Sequence, residues 1–345
     1  MSKESKIFDS VNPDFRAKKG SPKSVEEYVE GIFSRNKSVL SQAITLIESS
    51  KEAHREISEE ILEQCMAKTG NSVRIGISGV PGVGKSTFID ALGKKLISEG
   101  KKIAVLSVDP SSSRSKGSIL GDKTRMHFLS THPDAYIRPS PTAGALGGVT
   151  RKTRETLLLC EAAGYEMIFI ETVGVGQSET AVYSMVDFFL VLMLAGAGDE
   201  LQGIKRGILE MADLLAINKA DGENVDTAKR AKQEYQNALS MFPNQPSGWK
   251  SVVKTCSSLD GSGLNQIWDE VMNYITYTQK NGHFENHRKK QAIDWMYENI
   301  YYRLKETFYQ HPAVKKRVKA IENKVAEGSI SSFKAASELI KLFGS

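Results

Sequence analysis

Hydrophobic positions follow different periods in different parts of the chain. From Ser24 to about Lys68, apolar residues recur every three or four positions, which predicts helix, and Gly70 then breaks the pattern. A helical pattern returns beyond Gly282. We therefore expect an N-terminal helical extension, a core and a C-terminal helical arm, at residues 1–70, 71–280 and 281–345.

Short apolar runs alternate with helical stretches in the expected core. Most of these runs are continuous rather than alternating, which is typical of strands whose two sheet faces are both covered by helices. Strands separated by crossover helices predict an α/β fold with a doubly wound, mainly parallel sheet. Ligands of such sheets bind at the carboxyl ends of the strands. The predicted strands are Val73–Ser78, Ile103–Val108, Met167–Ile170, Phe188–Leu194, Leu214–Ile217 and Val252–Thr255.

Composition is that of a globular protein, with 40% hydrophobic and 25% charged residues in 345. The longest apolar run, around residues 188–197, is about half of what a membrane span needs. The start has no apolar segment typical of a secretory signal, and three scattered cysteines suit a reducing compartment. We expect a cytoplasmic protein that binds no membrane. The net charge of +5 comes from the C-terminal segment, where charges are spread along predicted helices, so we expect no nucleic acid partner either.

A phosphate-binding loop follows the first predicted strand. The sequence GVPGVGKST satisfies G-x4-G-K-[ST] between a strand and a helix. In such loops backbone N–H groups point at phosphate oxygens, Lys85 neutralises the β- and γ-phosphates, and Ser86 ligates Mg²⁺. The residues expected to bind the triphosphate are Gly79, Val80, Pro81, Gly82, Val83, Gly84, Lys85, Ser86 and Thr87.

A second motif predicts which base is bound. Asn218-Lys219-Ala220-Asp221 follows the fifth predicted strand, and the Asp221 carboxylate matches the N1–H and 2-amino donors of guanine, which adenine does not offer. We expect the stem of Lys219 to lie over the purine. A backbone amide of the loop Ser257, Ser258, Leu259 is expected to meet the guanine O6.

Three carboxylates are predicted near the phosphates. Asp109 and Glu171 end predicted strands, and Asp122 lies in the connection between them. Because Mg²⁺ prefers a few carboxylates and keeps several waters, we expect these acids to hold it directly or through water, with Ser86. The alternative for any one of the three is a helix cap or a loop carboxylate. Together with Lys85, these acids are the predicted catalytic groups.

Hydrolysis is expected to be slow without a partner. Effective switch GTPases often place a water-orienting glutamine after the turn glycine, but here Val175 follows Gly174. No arginine has a clear claim to complete the site, although Arg114 and Arg125 are candidates.

Together these motifs resemble one family. The segments GVPGVGKST (79–87), SVDPSSSRSKGSILGDKTRM (107–126), RPSPTAGALGGVT (138–150), ETVGVGQSE (171–179) and NKAD (218–221) are similar to the MeaB/ArgK-type GTPases, chaperones of adenosylcobalamin-dependent acyl-CoA mutases and above all of methylmalonyl-CoA mutase. A departure is the loop CSSLDG, where the family more often has a Ser-Ala pair.

The resemblance implies a P-loop GTPase of the SIMIBI class that binds GTP or GDP with Mg²⁺ and dimerises through its C-terminal arm. It implies that GTP hydrolysis gates cofactor loading and the protection or reactivation of the mutase. It also implies a mobile switch segment over residues 195–207, in which Asp199 and Lys205 contact the partner or the nucleotide. The glycine-rich stretches 143–148, 174–176 and 196–207 suit such rearrangements.

Two alternatives stay open. A nickel-insertion GTPase of the same class would need a metal-handling group, for which His283 and His287, four residues apart, are the available pair. A kinase of a transport protein would need a base aligned with an acceptor hydroxyl, and no residue stands out for that role.

Overall fold

The computed structural model of the chain describes residues 23–108, 125–139, 146–172, 178–196, 206–243 and 245–344. Asp109 and Asp122, and the predicted switch contacts Asp199 and Lys205, lie outside these residues.

The N-terminal helical pattern is divided into three helices by polar caps. The Ser24 hydroxyl accepts from the Glu27 amide while the Glu27 carboxylate accepts from the Ser24 amide, which starts the first helix. Asn36 caps the second helix by accepting from two amides, and Arg35 before it takes a positive φ of 57°. The repeat of apolar residues every three or four positions therefore continues through two breaks between helices. The helices are α1 (Val25–Phe33), α2 (Lys37–Glu48) and α3 (Glu52–Cys65).

In the described part of the chain, seven parallel strands form one sheet in the order β3-β2-β4-β1-β5-β6-β7. The six runs predicted as strands are all strands. The seventh, β3, was missed because it lies between Pro133 and Pro139, and closely spaced prolines are typical of loops. The strands are β1 (Val73–Gly79), β2 (Ile103–Val108), β3 (Ala135–Arg138), β4 (Met167–Thr172), β5 (Phe188–Leu194), β6 (Leu214–Asn218) and β7 (Val252–Thr255).

Helices cover both faces of this sheet, so the predicted doubly wound α/β fold is confirmed. One face packs against α1–α3 and α6–α9, and the other against α4, α5 and α10, each through its own cluster of buried apolar side chains. The core helices are α4 (Lys85–Ser98), α5 (His127–Thr131), α6 (Leu146–Ala162), α7 (Ser178–Tyr183), α8 (Arg206–Met211), α9 (Val225–Leu239) and α10 (Leu264–Lys280).

The C-terminal segment is helical, as predicted, and its first helix is tied to the core by ion pairs. Arg288 meets Asp187 at 2.6 Å and Glu298 meets Arg154 at 2.7 Å. None of the 28 residues of this helix is buried, whereas Val314 and Ile321 of the next are. The segment consists of α11 (His283–Gln310), α12 (Pro312–Ala326) and α13 (Ser332–Phe343).

Candidate nucleotide site

The loop between β1 and α4 lies at the carboxyl end of the sheet. Gly79, Gly82 and Gly84 have φ angles of 149°, 78° and 96°, which side chains rarely adopt. A Cβ on Gly79 would lie 2.4 Å from the Leu192 carbonyl oxygen of β5, and one on Gly84 would lie 2.9 Å from Asn218 Nδ2. Glycine is therefore favoured by both conformation and contact at positions 79 and 84, and by conformation alone at position 82.

Lys85 begins α4 and turns its ammonium back into the loop. Its Nζ donates to the carbonyl oxygens of Gly79, at 2.8 Å, and Val80, at 3.3 Å. Burial lowers the pKa of Lys85, while the negative charges of Glu171 and Glu179 oppose that shift. The loop thus holds a buried cation whose hydrogen bonds to two carbonyl oxygens are available for exchange with an anion.

A hydroxyl and a carboxylate face each other beside this lysine. Ser86 Oγ donates to Glu171 Oε1 at 3.0 Å, and both side chains are buried. The adjacent ends of β1 and β4 are joined by a hydrogen bond from Thr172 Oγ1 to Ser78 Oγ. Hard oxygen ligands of this kind fit Mg²⁺. The structure brings Ser86 and Glu171 together, whereas Asp109 and Asp122 lie outside the described residues.

The residues predicted to recognise the base lie at the ends of β6 and β7. Asp221 accepts a short hydrogen bond from the Ser257 hydroxyl, and the Ala220 amide donates to the Cys256 carbonyl oxygen at 3.0 Å. Lys219 is exposed and has a positive φ of 58°. The Leu259 amide donates to Ser257 Oγ at 3.2 Å while its side chain is 85% exposed.

Asn218 connects the two halves. Its Nδ2 donates to the Val83 carbonyl oxygen in the phosphate loop at 2.8 Å. Its Oδ1 accepts from the Ser258 amide at 3.2 Å and from the Ser258 hydroxyl at 2.9 Å. This side chain is 1% exposed, so these hydrogen bonds are made away from water. The loop expected to hold phosphate and the loop expected to hold guanine therefore form one continuous hydrogen-bonded unit.

Two further charged residues act on the pKa of Lys85. Glu179, on α7, is buried, was not among the predicted site residues and raises this pKa, whereas Arg125, one of the two candidate arginines, lowers it. The signal for Glu179 in the sequence was its position at the end of the segment ETVGVGQSE, eight residues after Glu171. Arg114 and residues 173–177 lie outside the described residues.

Two further features of the described residues concern membrane-spanning helices and clusters of metal-binding side chains. Across the described segments, no helix combines the length and apolar character needed to cross a membrane. The same segments contain no group of three or more His, Cys, Asp or Glu side chains placed to hold a metal ion. His283 and His287 stack at 5.5 Å on α11, where the His287 ring meets Gln291.

Known proteins resemble this chain over most of its length. The family described as methylmalonyl Co-A mutase-associated GTPase MeaB matches residues 40–313. A probable GTPase of Mycobacterium tuberculosis H37Rv, Rv1496, is 47% identical over 307 residues, covering 89% of this chain and 91% of the relative. The mouse methylmalonic aciduria type A homolog, described as mitochondrial, is 43% identical over 331 residues, covering 93% and 80%. A crystal structure of an LAO/AO transport system kinase has a TM-score of 0.71 and 33% identity, covering 93% of this chain and 98% of the other.

Proposed function

The chain belongs to the MeaB family of methylmalonyl Co-A mutase-associated GTPases, and we propose that it is the GTP-driven chaperone of an adenosylcobalamin-dependent acyl-CoA mutase. Methylmalonyl-CoA mutase is the proposed client. The observation that carries the nucleotide part of this proposal is the Asn218 side chain, which hydrogen-bonds the phosphate loop and the base loop at once. A nucleotide that spans the two loops would bind to loops that Asn218 already holds in a fixed position relative to each other.

Guanine selectivity is assigned to Asp221. The Ser257 hydroxyl donates to one of its carboxylate oxygens and so restrains the side chain. A carboxylate accepts the two neighbouring donors of guanine but would face the N1 acceptor of adenine without a compensating proton. GTP and GDP are therefore the proposed ligands.

Magnesium would be held by Ser86 and Glu171, whose oxygens already face each other at 3.0 Å. When bound, the ion would neutralise part of the phosphate charge. Asp109 and Asp122 remain proposed magnesium-binding and catalytic residues. The Ser86 hydroxyl donates its proton to Glu171, and the lone pairs of its oxygen are left to bind the ion.

Catalysis is assigned mainly to positioning and charge, as in other phosphoryl transfers. The Lys85 ammonium would exchange the Gly79 and Val80 carbonyl oxygens for phosphate oxygens, and the buried acids around it favour its charged form. Glu171 would orient Ser86. We propose a slow intrinsic rate and stimulation by the mutase, with hydrolysis serving as a timer for loading the cofactor and for protecting or reactivating the enzyme.

The client assignment is supported by the family description and by the mouse relative named for methylmalonic aciduria. We propose a cytoplasmic location, which is in keeping with Cys65, Cys160 and Cys256, all three free and buried.

A second copy of the chain is the proposed partner of the C-terminal arm, residues 281–345. One face of α11 exposes apolar side chains at helical spacing, which monomers seldom do over so long a helix. Together with the core at 71–280 and the extension at 1–70, this arm completes the proposed division of the chain. The exposed residues are Ile293, Met296, Tyr297, Ile300, Tyr301 and Leu304.

The test combines nucleotide binding with turnover. Calorimetry with GDP, GTP and ATP should show guanine-selective binding, and GTP turnover should rise when methylmalonyl-CoA mutase of the same organism is added. Asp221→Asn should reduce the discrimination against ATP, whereas Asp226→Asn, on the exposed face of α9, should leave it unchanged. Binding of ATP as tightly as GTP by the unmodified protein would refute the guanine assignment, and turnover unaffected by the mutase would refute the client.

Two further assays address the alternatives. Stoichiometric nickel in the purified protein, lost in His283→Ala, would favour nickel insertion over the mutase role. Transfer of the γ-phosphate to a transport protein, rather than release as inorganic phosphate, would favour a kinase.

A further inference from the structure

A cavity of about 320 Å³ lies at the end of the molecule opposite the phosphate loop. It is bounded by the residues after α3, by α6, by the turn after α7 and by the first half of α11. Arg74, in its wall, is the second residue of β1, whereas Gly79 at the other end of β1 begins the phosphate loop. At roughly 3.3 Å per strand residue, about 17 Å separates the two regions. The cavity is therefore not part of the nucleotide site.

The body of this cavity is apolar. Leu157 and Leu158 of α6 contribute to it, as do Met185 and the ring of Trp295. Leu157 and Met185 are each 2% exposed, so they are firmly held within the core. Such walls favour a hydrocarbon or aromatic group, and the volume is within the usual range for a small-molecule site.

The charged side chains that line the cavity are all basic. Guanidinium groups of three arginines are each paired with an acid that does not itself line the cavity, as in the Arg74–Glu161 pair at 2.8 Å. Lys289 is exposed and makes no ion pair with any residue that the structure describes. Among the charged side chains that line the cavity, only the charge of Lys289 is not compensated by an acid in the described structure. One positive charge matches a single negative charge on a ligand. The other two pairs are Arg154–Glu298 and Arg288–Asp187.

Two buried polar atoms of the same wall have no hydrogen-bond partner within the described structure. They are the indole Nε1 of Trp295 and the amide Oε1 of Gln291, four residues apart on α11. The Gln291 Nε2 donates to the Val186 carbonyl oxygen at 2.8 Å and lies 2.9 Å from His287 Nε2, so the oxygen is the atom left over. Both atoms are shielded from the cavity, and a carboxylate has no proton to donate to the Gln291 oxygen, so the ligand contacts proposed below are those of the apolar walls and Lys289.

We propose that this cavity is a second ligand site, which binds a small amphipathic carboxylate. The hydrocarbon body packs between Leu157, Met185 and Trp295, and the carboxylate lies against Lys289. Because residues of the N-terminal extension, the core and the arm all line the cavity, an occupied site holds these three parts together. This inference is independent of the nucleotide proposal.

Calorimetry on the full chain with sodium octanoate tests the site, both without nucleotide and with GDP in excess. We expect one molecule bound per chain under both conditions, together with a higher thermal unfolding midpoint. Octan-1-ol, which lacks the charge, and acetate, which lacks the body, should each bind at least about tenfold more weakly. Absence of octanoate binding, binding of octan-1-ol as tightly as octanoate, or competition with GDP would overturn the proposal.

Two variants place the ligand. Lys289→Ala should weaken octanoate binding about tenfold, whereas Lys290→Ala, at the next position but outside this cavity, should not. Ala292→Phe adds a ring at an exposed wall position, so it should abolish binding without opening a void in the core. Octanoate affinities of both cavity variants equal to that of the unmodified protein would show that the ligand binds elsewhere.

Discussion

Replacing Asn218 by alanine tests whether one side chain holds the candidate nucleotide site together. In the folded protein this amide makes three hydrogen bonds with nitrogen and oxygen partners, one to the phosphate loop through Val83 and two to the base loop through Ser258, besides a weaker one from the Cys256 thiol. Alanine removes all three and adds no group that replaces them. The Val83 carbonyl oxygen, which lies in a buried residue, would be left without this donor.

The magnitude follows from these contacts. A net contribution of about 1 kcal/mol per hydrogen bond gives a loss of about 3 kcal/mol in the free energy of unfolding. Nucleotide affinity should fall as well, by at least about tenfold, because the two loops would then have to be ordered at the expense of binding energy.

Urea denaturation measures the first quantity, and calorimetry with GDP measures the second. Asn237→Ala is the matched control, because Asn237 lies on the exposed face of α9 and accepts a single hydrogen bond, from Gln233. It should change stability by no more than about 0.5 kcal/mol. If Asn218→Ala also stayed within that limit and bound GDP normally, Asn218 would not connect the loops energetically.

Further predictions concern charge and assembly. Lys85→Ala should abolish measurable GTP turnover because it removes the buried ammonium that the loop holds, whereas Lys94→Ala on the same helix should turn over normally; residual turnover within tenfold would contradict the role of Lys85. Burial raises the pKa of Glu155 to about 7, so between about pH 4.5 and 7 the folded chain keeps a proton that the unfolded chain has released, and the free energy of unfolding falls as pH rises. In urea titrations between about pH 4.5 and 7, Glu155→Gln should reduce this decrease in the free energy of unfolding by about 3 kcal/mol. An unchanged dependence of the free energy of unfolding on pH would refute the raised pKa of Glu155. Leu304→Glu should convert a dimer to a monomer in light scattering, since it charges the exposed apolar face of α11, and a dimer that persists would move the interface elsewhere.

The fold class was predictable because its signals are local. Continuous apolar runs identified β1, β2, β4, β5, β6 and β7, and the glycine-rich loop placed after β1 identified the strand-loop-helix unit. The resemblance to MeaB/ArgK-type GTPases is confirmed by the family match and the relatives. The strand β3 was missed because prolines flank it on both sides, at positions 133 and 139, and such a segment resembles a loop.

The division of the first helical pattern was hidden for a different reason. The repeat of apolar residues continues from α1 to α3 because each of the three helices buries its apolar face in the same hydrophobic cluster. The breaks depend on capping side chains such as Asn36, whose effect is local and does not disturb that period.

Sequence alone determined which chemical groups this protein has and the order in which they follow its strands. It therefore predicted a phosphate loop, a guanine motif and their common edge of the sheet, because parallel strands bring their carboxyl ends to one side. Only the tertiary structure decided which of those groups touch. The hydrogen bonds of Asn218, the buried Glu179 near Lys85 and the basic cavity beside Trp295 all join residues far apart in the chain, and such contacts depend on packing that no local pattern encodes.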